Sequence, residues 1–170
     1  MFEDAGWKVV DRDFYSPTLT AAAIREGLLE ENREADYFLF VNGMAVGILE
    51  AKRKEVDVTS DMVCEQADIY ARGVPECYKA YSRPLPIIYQ SNGEETIFRD
   101  FRDEDGELIE LNRIHTPKEI VKMLGIDDLY AGLPTLKKKG LRDCQYEAIS
   151  ELENSFRNGQ KKALIVLATG

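Results

Sequence analysis

The sequence predicts an α/β fold in which helices flank a mixed central sheet. Two short apolar runs at residues 37–41 and 44–49 surround Asn42-Gly43, which is the strongest short-range signal for a β-hairpin. A segment with helix-capping residues at both ends follows at residues 59–73. A second pair of strands around a turn is expected within residues 86–101.

Composition and charge limit the classes of function. A chain of 170 residues is long enough for one full domain and the start of a second, and 44% hydrophobic residues favour a folded protein. Lys and Arg total 22 against 31 Asp and Glu, so the formal net charge of −9 repels nucleic acid at long range. Any DNA contact must therefore be local, metal-assisted or shared with a partner.

The cysteines and the lack of long apolar runs indicate the compartment. Cys64, Cys77 and Cys144 are odd in number and widely spaced, which indicates neither a disulfide framework nor a zinc site. No leader peptide is evident at the start of the sequence, and no run approaches the ~18 apolar residues of a membrane span. We therefore expect a cytoplasmic protein.

The first elements differ in how clearly they are predicted. The chain opens on a segment typical of the last turn of a helix ended by Gly6, and a short strand is expected at residues 7–10. Residues 18–31 are rich in Ala, Leu and Glu, which favours a helix, although Gly27 interrupts it. An edge strand at residues 22–26 is the alternative.

The next elements are better defined. Both faces of both hairpin strands are apolar, so the hairpin should lie inside a sheet that is covered on both sides. Thr59 or Ser60 can cap a helix that reaches Arg72 and ends at Gly73. Strands at residues 86–90 and 95–101 then complete the predicted sheet.

The second half of the sequence contains two more predicted helices. Thr116 and Glu119 form a capping box with proline between them, and Gly125 ends this short helix. The only histidine, His115, precedes this helix and is interpreted as structural. Trp7 and three tyrosines are interpreted as packing residues: Tyr78, Tyr81 and Tyr89. An amphipathic helix at residues 142–158 and a buried strand at residues 162–167 follow a connector.

Three charged residues around the hairpin suggest a site. Glu50 and Lys52 share one face of the second strand because side chains alternate along a strand. The position of Asp36 depends on the hairpin register. With the two-residue loop, Asp36 falls opposite Leu49, on the wrong face.

A three-residue loop at residues 41–43, with Gly43 left-handed in a bulge, gives a different register. Asp36 then pairs with Ile48 and lies diagonal to Glu50, on the same face as Lys52. We favour this longer loop because it brings the three charged groups together.

Such a group suits metal-assisted phosphodiester hydrolysis. Two neighbouring carboxylates, Asp36 and Glu50, repel each other unless a cation lies between them, and their oxygens suit Mg²⁺ or Mn²⁺. Lys52 adds a positive charge that can orient water or stabilise charge on a phosphate. The alternative is that Asp36 caps a strand end while Glu50 and Lys52 form an exposed ion pair of little value.

These residues carry a family resemblance. Asp36 followed by Glu50-Ala51-Lys52 resembles the PD-(D/E)xK nuclease core, and ADYFLFVNGMAVGILEAKRK resembles the N-terminal domain of the type I restriction enzyme R (motor/endonuclease) subunit. In that family a Q-x-x-x-Y motif follows on a helix, as do Gln66 and Tyr70 here, at i and i+4 on one helix face. The resemblance implies a restriction-endonuclease-like sheet, an endonuclease domain at residues 1–128 and magnesium-dependent cleavage of double-stranded DNA.

The role of the glutamine and tyrosine is open. Gln66 and Tyr70 would position the DNA strand by bonding a phosphate, or would hold the metal ligands. The alternative is that Tyr70 is a core aromatic and Gln66 faces solvent. The family usually supplies an additional acid near the site, for which Glu3 and Glu26 are the candidates.

The end of the chain resembles a superfamily 2 helicase motor. Residues 141–170 would be its start, after a linker at residues 129–140. By resemblance, Gln145 would read adenine and Thr169 and Gly170 would begin the phosphate-binding loop. The lysine and hydroxyl that complete the loop are absent, so this chain should not hydrolyse ATP.

The resemblance also implies partners. The whole protein would be a type I site-specific deoxyribonuclease that cuts DNA after ATP-driven translocation, in a complex with modification and specificity subunits. A catalytically silent docking module that anchors a helicase motor is the main alternative. A similar nuclease domain joined to another kind of helicase is the third possibility.

Overall fold

The computed structural model describes residues 1–17, 19–103, 106–126, 136–157 and 162–166. The chain divides into two compact units, Met1–Ile120 and Val121–Gly170. None of the described helices is long and apolar enough to cross a membrane. The elements are β1 Lys8–Asp11, β2 Ala21–Leu28, β3 Glu34–Val41, β4 Met44–Ala51, α1 Asp61–Arg72, β5 Ile87–Ser91, β6 Thr96–Asp100, β7 Ile109–Glu110, α2 Pro117–Leu124 and α3 Asp143–Arg157.

The strands form one mixed sheet. They lie in chain order from β1 to β7, with β1 parallel to β2, β4 parallel to β5, and the other neighbours antiparallel. The hairpin strands β3 and β4 occupy the middle, and β4 is buried on both faces from Ala45 to Glu50. The predicted α/β fold with a mixed central sheet, the covered hairpin and the β5–β6 pair are confirmed.

β2 resolves the ambiguity at residues 18–31. The helical expectation is wrong, and the strand alternative is right except that β1 pairs along the outer side, so β2 is not an edge. Ala22, Ala23 and Ile24 are all buried, because the two faces of a strand can both be covered. A Cβ on Gly27 would lie 2.4 Å from the Cβ of Phe38, so glycine permits the close approach of β3.

The hairpin loop differs from the one we favoured. Val41 pairs with Met44, so the loop has two residues, Asn42 and Gly43, and the three-residue prediction is wrong. Both loop residues have positive φ angles, 52° and 72°, which is the type I′ conformation that Asn-Gly adopts most readily. This local preference decides the loop length.

A bulge in β4 restores the alignment of the charged residues. Phe40 pairs with Ala45 but Leu39 pairs with Gly47, so the extra residue lies in β4 instead of in the loop. Continued from the pair Tyr37 and Leu49, this register places Asp36 directly opposite Glu50. The two acids therefore share a face, although the predicted diagonal arrangement is wrong.

α1 covers the face of the sheet that bears Ile48 and Ile88, with Ala67 and Ala71 in the shared core. The helix begins after Ser60 and ends before Gly73, as predicted. The Ser60 hydroxyl donates to the Asp57 carbonyl at 2.8 Å and makes no bond to the helix terminus. An ion pair between Asp68 of α1 and Arg99 of β6 also joins the helix to the sheet.

The opposite face contains a cluster of polar and aromatic groups, which we call the His115 cluster: Trp7, Tyr89, Phe98 and His115. The Trp7 indole donates to the His115 carbonyl at 2.8 Å, and the Tyr89 hydroxyl and His115 Nδ1 share a hydrogen bond of 2.7 Å. The Phe98 and His115 rings meet edge to face. The structural interpretation of His115, Trp7 and Tyr89 is confirmed.

The predicted capping box of α2 is present. Glu119 N donates to Thr116 Oγ1 at 3.2 Å, and Thr116 N donates to the Glu119 carboxylate at 2.7 Å. The hydrogen bond from Arg113, followed by those from Thr116, holds the pKa of Glu119 well below its ordinary value. The described cysteines are all free, in agreement with the sequence analysis.

In the second unit, α3 forms as predicted but the buried strand does not. Residues 162–166 have no regular secondary structure, and Leu164 and Val166 are 88% and 81% exposed. An apolar run becomes a strand only where another strand pairs with it, and none of the described residues does so. Thr169 and Gly170 lie outside the described residues.

Candidate functional site

The two predicted acids meet where β3 begins and β4 ends. Asp36 is exposed, and its Oδ2 accepts a hydrogen bond of 2.7 Å from the backbone N–H of Ala51. Glu50 is only 4% exposed, and its Oε2 is buried without a hydrogen-bond partner among the described residues. An unpaired buried carboxylate oxygen is costly, so its presence needs an explanation.

The surroundings of Glu50 disfavour its charged form. Burial is the largest cause that raises the pKa of Glu50, and the hydrogen bond from Lys52 opposes this rise. The negative charge of Asp36 raises the pKa further. Either protonation of Glu50 or a bound cation would relieve this cost.

Lys52 links Glu50 to the helix. It follows the end of β4, where its backbone N–H donates to the Ser91 carbonyl at 2.7 Å. Its ammonium donates to Glu50 Oε1 at 2.6 Å and to Gln66 Oε1 at 2.7 Å, and its side chain is 19% exposed. The expectation of an exposed, weak ion pair between Glu50 and Lys52 is thus wrong.

Gln66 and Tyr70 lie on the side of α1 that faces this lysine. The Gln66 amide donates to the Tyr70 hydroxyl at 2.8 Å while its oxygen accepts from Lys52. The Tyr70 ring is half-buried against the core, as the packing alternative predicted, but Gln66 is half-buried and does not simply face solvent. Gln66 thus contacts the lysine and the tyrosine, and the described contacts include none between it and either acid.

The donor set fits a hard divalent cation. Asp36 and Glu50 supply carboxylate oxygens side by side, and the unpartnered Oε2 of Glu50 is a free acceptor. Among the described residues no three His, Cys, Asp or Glu side chains converge on one point, so protein carboxylates would supply only part of the ligands. Mg²⁺ commonly keeps several waters in such sites.

Neither candidate for the additional acid completes a three-carboxylate cluster. Glu26 lies at the β2 position opposite Asp36 but is exposed and has a φ angle of 51°, which takes it out of the regular pairing. Glu3 is exposed in the N-terminal turn. The choice between them stays a prediction.

Gln90 is a buried polar residue that sequence reasoning missed. It lies on β5 opposite Glu50, is completely buried, and donates from its amide to the Val58 carbonyl at 3.1 Å. A single amide in the apolar run IIYQS was the available signal. Gln90 fixes the segment between Lys52 and α1 against the sheet.

The residues predicted to bind nucleotide are only partly described. Gln145 is exposed in the first turn of α3, and its Oε1 accepts a hydrogen bond of 3.0 Å from the backbone N–H of Arg142. In this conformation the Gln145 side chain caps the N-terminus of α3. Thr169 and Gly170 fall outside the described residues, so the nucleotide role stays a prediction.

The amino-acid sequence is similar to those of known endonuclease subunits. A model of the "Type I restriction enzyme EcoKI endonuclease subunit second domain" matches residues 16–85. The EcoKI endonuclease subunit of Escherichia coli K12 is 26% identical over 178 residues, covering 80% of this chain and 15% of that protein. The EcoAI endonuclease subunit of Escherichia coli is 28% identical over 153 residues, covering 81% of this chain and 18% of that protein.

A solved structure agrees with these sequence matches. A fragment assigned to an HsdR subunit of a type I restriction enzyme from Vibrio vulnificus YJ016 aligns with a TM-score of 0.52 and 27% identity, covering 99% of this chain and 32% of that chain. The chain is similar to type I restriction enzyme R subunits. The predicted resemblance is confirmed, and the sheet with its helices fits the nuclease-like α/β fold. The chain spans less than a fifth of the length of the curated proteins it matches.

Proposed function

We propose that this chain hydrolyses phosphodiester bonds of duplex DNA at Asp36, Glu50 and Lys52, with Mg²⁺ or Mn²⁺ bound by the two carboxylates. The supporting observation is the buried, unpartnered Oε2 of Glu50 beside the Asp36 carboxylate. Buried polar groups in folded proteins nearly always have partners, so a buried carboxylate oxygen beside a second carboxylate is a candidate metal ligand. The names of the relatives, which are endonuclease subunits, agree with this proposal.

Each acid has a distinct part. Asp36 is exposed and held by the Ala51 N–H, so it presents a carboxylate oxygen to the solvent side of the site. Glu50 supplies an oxygen from the buried side. A bound divalent ion would act as a Lewis acid on the phosphate and lower the pKa of a bound water.

Lys52 is held for contact with the scissile phosphate. Gln66 accepts one of its ammonium hydrogens and Glu50 another, which leaves the third N–H for a phosphate oxygen or an attacking water. Tyr70 in turn holds Gln66. We infer that the glutamine and tyrosine position the strand indirectly, by orienting the lysine.

The larger protein is proposed from the resemblance. Residues 1–128 would form the endonuclease domain, residues 129–140 a linker, and residues 141–170 the beginning of a helicase motor in which Gln145, Thr169 and Gly170 contact ATP. The assembly would be cytoplasmic and would contain modification and specificity subunits. Such partners would bring a chain of net charge −9 to DNA.

The second candidate is a catalytically silent docking module. It would keep the nuclease fold and anchor the motor to its partners. The hydrogen bonds of Lys52 to Glu50 and Gln66, with Asp36 opposite Glu50 in the sheet, favour catalysis. Metal binding separates the two proposals.

Isothermal titration of Mg²⁺ or Mn²⁺ into the chain, followed by nicking of supercoiled plasmid, tests the nuclease. Asp36→Asn is the sharpest variant, because its amide oxygen can still accept from Ala51 N–H while the charge is removed. We expect metal binding to be lost in Asp36→Asn, and nicking to be lost in Asp36→Asn and Lys52→Ala.

Glu76→Ala serves as the control, since Glu76 is an exposed acid outside the site. It should leave both metal binding and nicking intact. Metal binding that survives in Asp36→Asn, or nicking that survives in Lys52→Ala, would overturn the nuclease proposal and favour the docking module.

A further inference from the structure

The segment at residues 52–60 joins β4 to α1 and begins at the catalytic lysine; we call it the site loop. Two amide side chains of the β5 region hold it. Asn92 donates to the carbonyls of Lys54 and Val56 at 3.4 and 3.1 Å, and Gln90 donates to the carbonyl of Val58 at 3.1 Å. Three alternate carbonyls of the loop are therefore bound to the sheet.

The two amides are themselves fixed. The Asn92 Oδ1 accepts from the backbone N–H groups of Glu94 and Glu95 at 3.1 and 2.9 Å. Gln90 is fully buried and also contacts the Cys64 thiol of α1. Both positions hold the loop backbone in one conformation before any ligand arrives, which reduces the entropic cost of binding.

The acidic and basic side chains of the loop divide into paired and unpaired groups. Asp57 accepts from the N–H and hydroxyl of Thr59 at 2.8 and 2.6 Å, and Lys54 pairs with Glu94 at 2.6 Å. Glu55 is exposed. The Arg53 side chain is exposed and makes no hydrogen bond or ion pair with the described residues.

Arg53 follows Lys52 directly in the sequence. Its side chain therefore leaves the backbone one residue from the lysine that we propose contacts the scissile phosphate. A guanidinium binds phosphate oxygens with two parallel hydrogen bonds. On a chain of net charge −9, an unpaired arginine at the edge of the site offsets the repulsion where a duplex would have to approach.

We propose that Arg53 contacts a backbone phosphate of the DNA strand next to the scissile bond, and that Gln90 and Asn92 are positioning residues for this contact. The inference rests on the proposed nuclease function and deepens it by assigning a substrate-binding residue. It requires binding of the sugar-phosphate backbone without base recognition.

The test is fluorescence anisotropy of the 170-residue chain with a short fluorescein-labelled DNA duplex in EDTA, at several salt concentrations. Arg53→Ala should weaken binding roughly tenfold, the size of one charge-assisted hydrogen bond. The slope of log K against log salt should become shallower by about 0.9, as expected for one lost phosphate contact. Arg53→Lys should recover the slope, and Asn92→Ala should weaken binding with the slope unchanged.

Lys79→Ala is the matched control. Lys79 is exposed, and its carbonyl accepts from Ala45 N–H, at the other end of β4 from the site. Removing its charge should change neither affinity nor slope. The inference is overturned if Arg53→Ala binds like the unmodified chain, if Lys79→Ala loses as much affinity, or if the unmodified chain does not bind the duplex at low salt.

Parallel nicking assays separate this inference from the nuclease proposal. Nicking that requires Asp36, with normal duplex binding by Arg53→Ala, overturns only the role of Arg53. Duplex binding that requires Arg53, with no nicking by the unmodified chain in Mg²⁺ or Mn²⁺, overturns only the nuclease and leaves a DNA contact.

Discussion

The two faces of the sheet treat buried polar groups in opposite ways. In the His115 cluster the Tyr89 hydroxyl, the Trp7 indole and His115 Nδ1 all have partners. Under α1, Glu50 keeps one oxygen unpaired in a site that disfavours its charge. The first arrangement stabilises the fold, whereas the second costs stability. Under the nuclease proposal, the unpaired oxygen of Glu50 is kept for a metal ion at the expense of that stability.

The largest expected effect comes from Glu50→Gln. Because the folded pKa of Glu50 is raised, its charged form opposes folding above the ordinary carboxyl pKa, and the neutral amide removes this cost at pH 7. We expect nicking to fall by about a hundredfold or more, while the free energy of unfolding rises. Plasmid nicking and urea unfolding measure the two quantities; a loss of stability would contradict the comparison.

Tyr89→Phe should act in the other direction on stability. The change leaves His115 Nδ1 without its buried partner, so we expect the free energy of unfolding to fall by about 2 kcal/mol. Nicking at a temperature well below the transition should be unchanged. Urea unfolding of this variant and of Glu50→Gln measures the contrast directly. A change of the same sign in the free energy of unfolding of both variants would contradict it.

Tyr70→Phe has a smaller expected effect, confined to activity. The ring remains packed on the core, but the acceptor of the Gln66 amide is lost, so Lys52 is held less firmly. We expect nicking to fall about tenfold, as for other groups that orient a catalytic residue. Metal affinity, measured by calorimetry, should be unaffected; a weaker metal site would instead place Tyr70 nearer the carboxylates.

The smallest effect is a pH dependence of stability. Burial lowers the pKa of His115 below its ordinary value of 6.5. As the pH falls, the histidine is therefore protonated in the unfolded chain before it is protonated in the folded chain. The contribution of His115 to stability is complete above pH 6.5 and is lost as the pH falls below that value. Urea unfolding between pH 7.5 and 5.5 should show that acidification lowers the stability of the unmodified chain relative to that of His115→Asn. An identical pH profile in the variant would exclude His115 as the cause.

Local chemistry was sufficient for several elements. The Asn-Gly loop, the bounds of α1 and the Thr116–Glu119 box follow from backbone preferences that act over a few residues, so the sequence by itself determined them. The spacing of Asp36, Glu50 and Lys52, with Gln66 and Tyr70 on the next helix, likewise identified the residues that the fold brings together.

Tertiary structure decided the rest. β2 is a strand despite its helical composition because strands on both sides pair with it. The bulge between Ala45 and Gly47 sets Asp36 opposite Glu50. Because both faces of β4 are apolar and buried, the sequence pattern cannot reveal a register shift of one residue. The burial of Glu50, the bonds from Gln90 and the unpaired run at residues 162–166 likewise depend on neighbours distant in sequence.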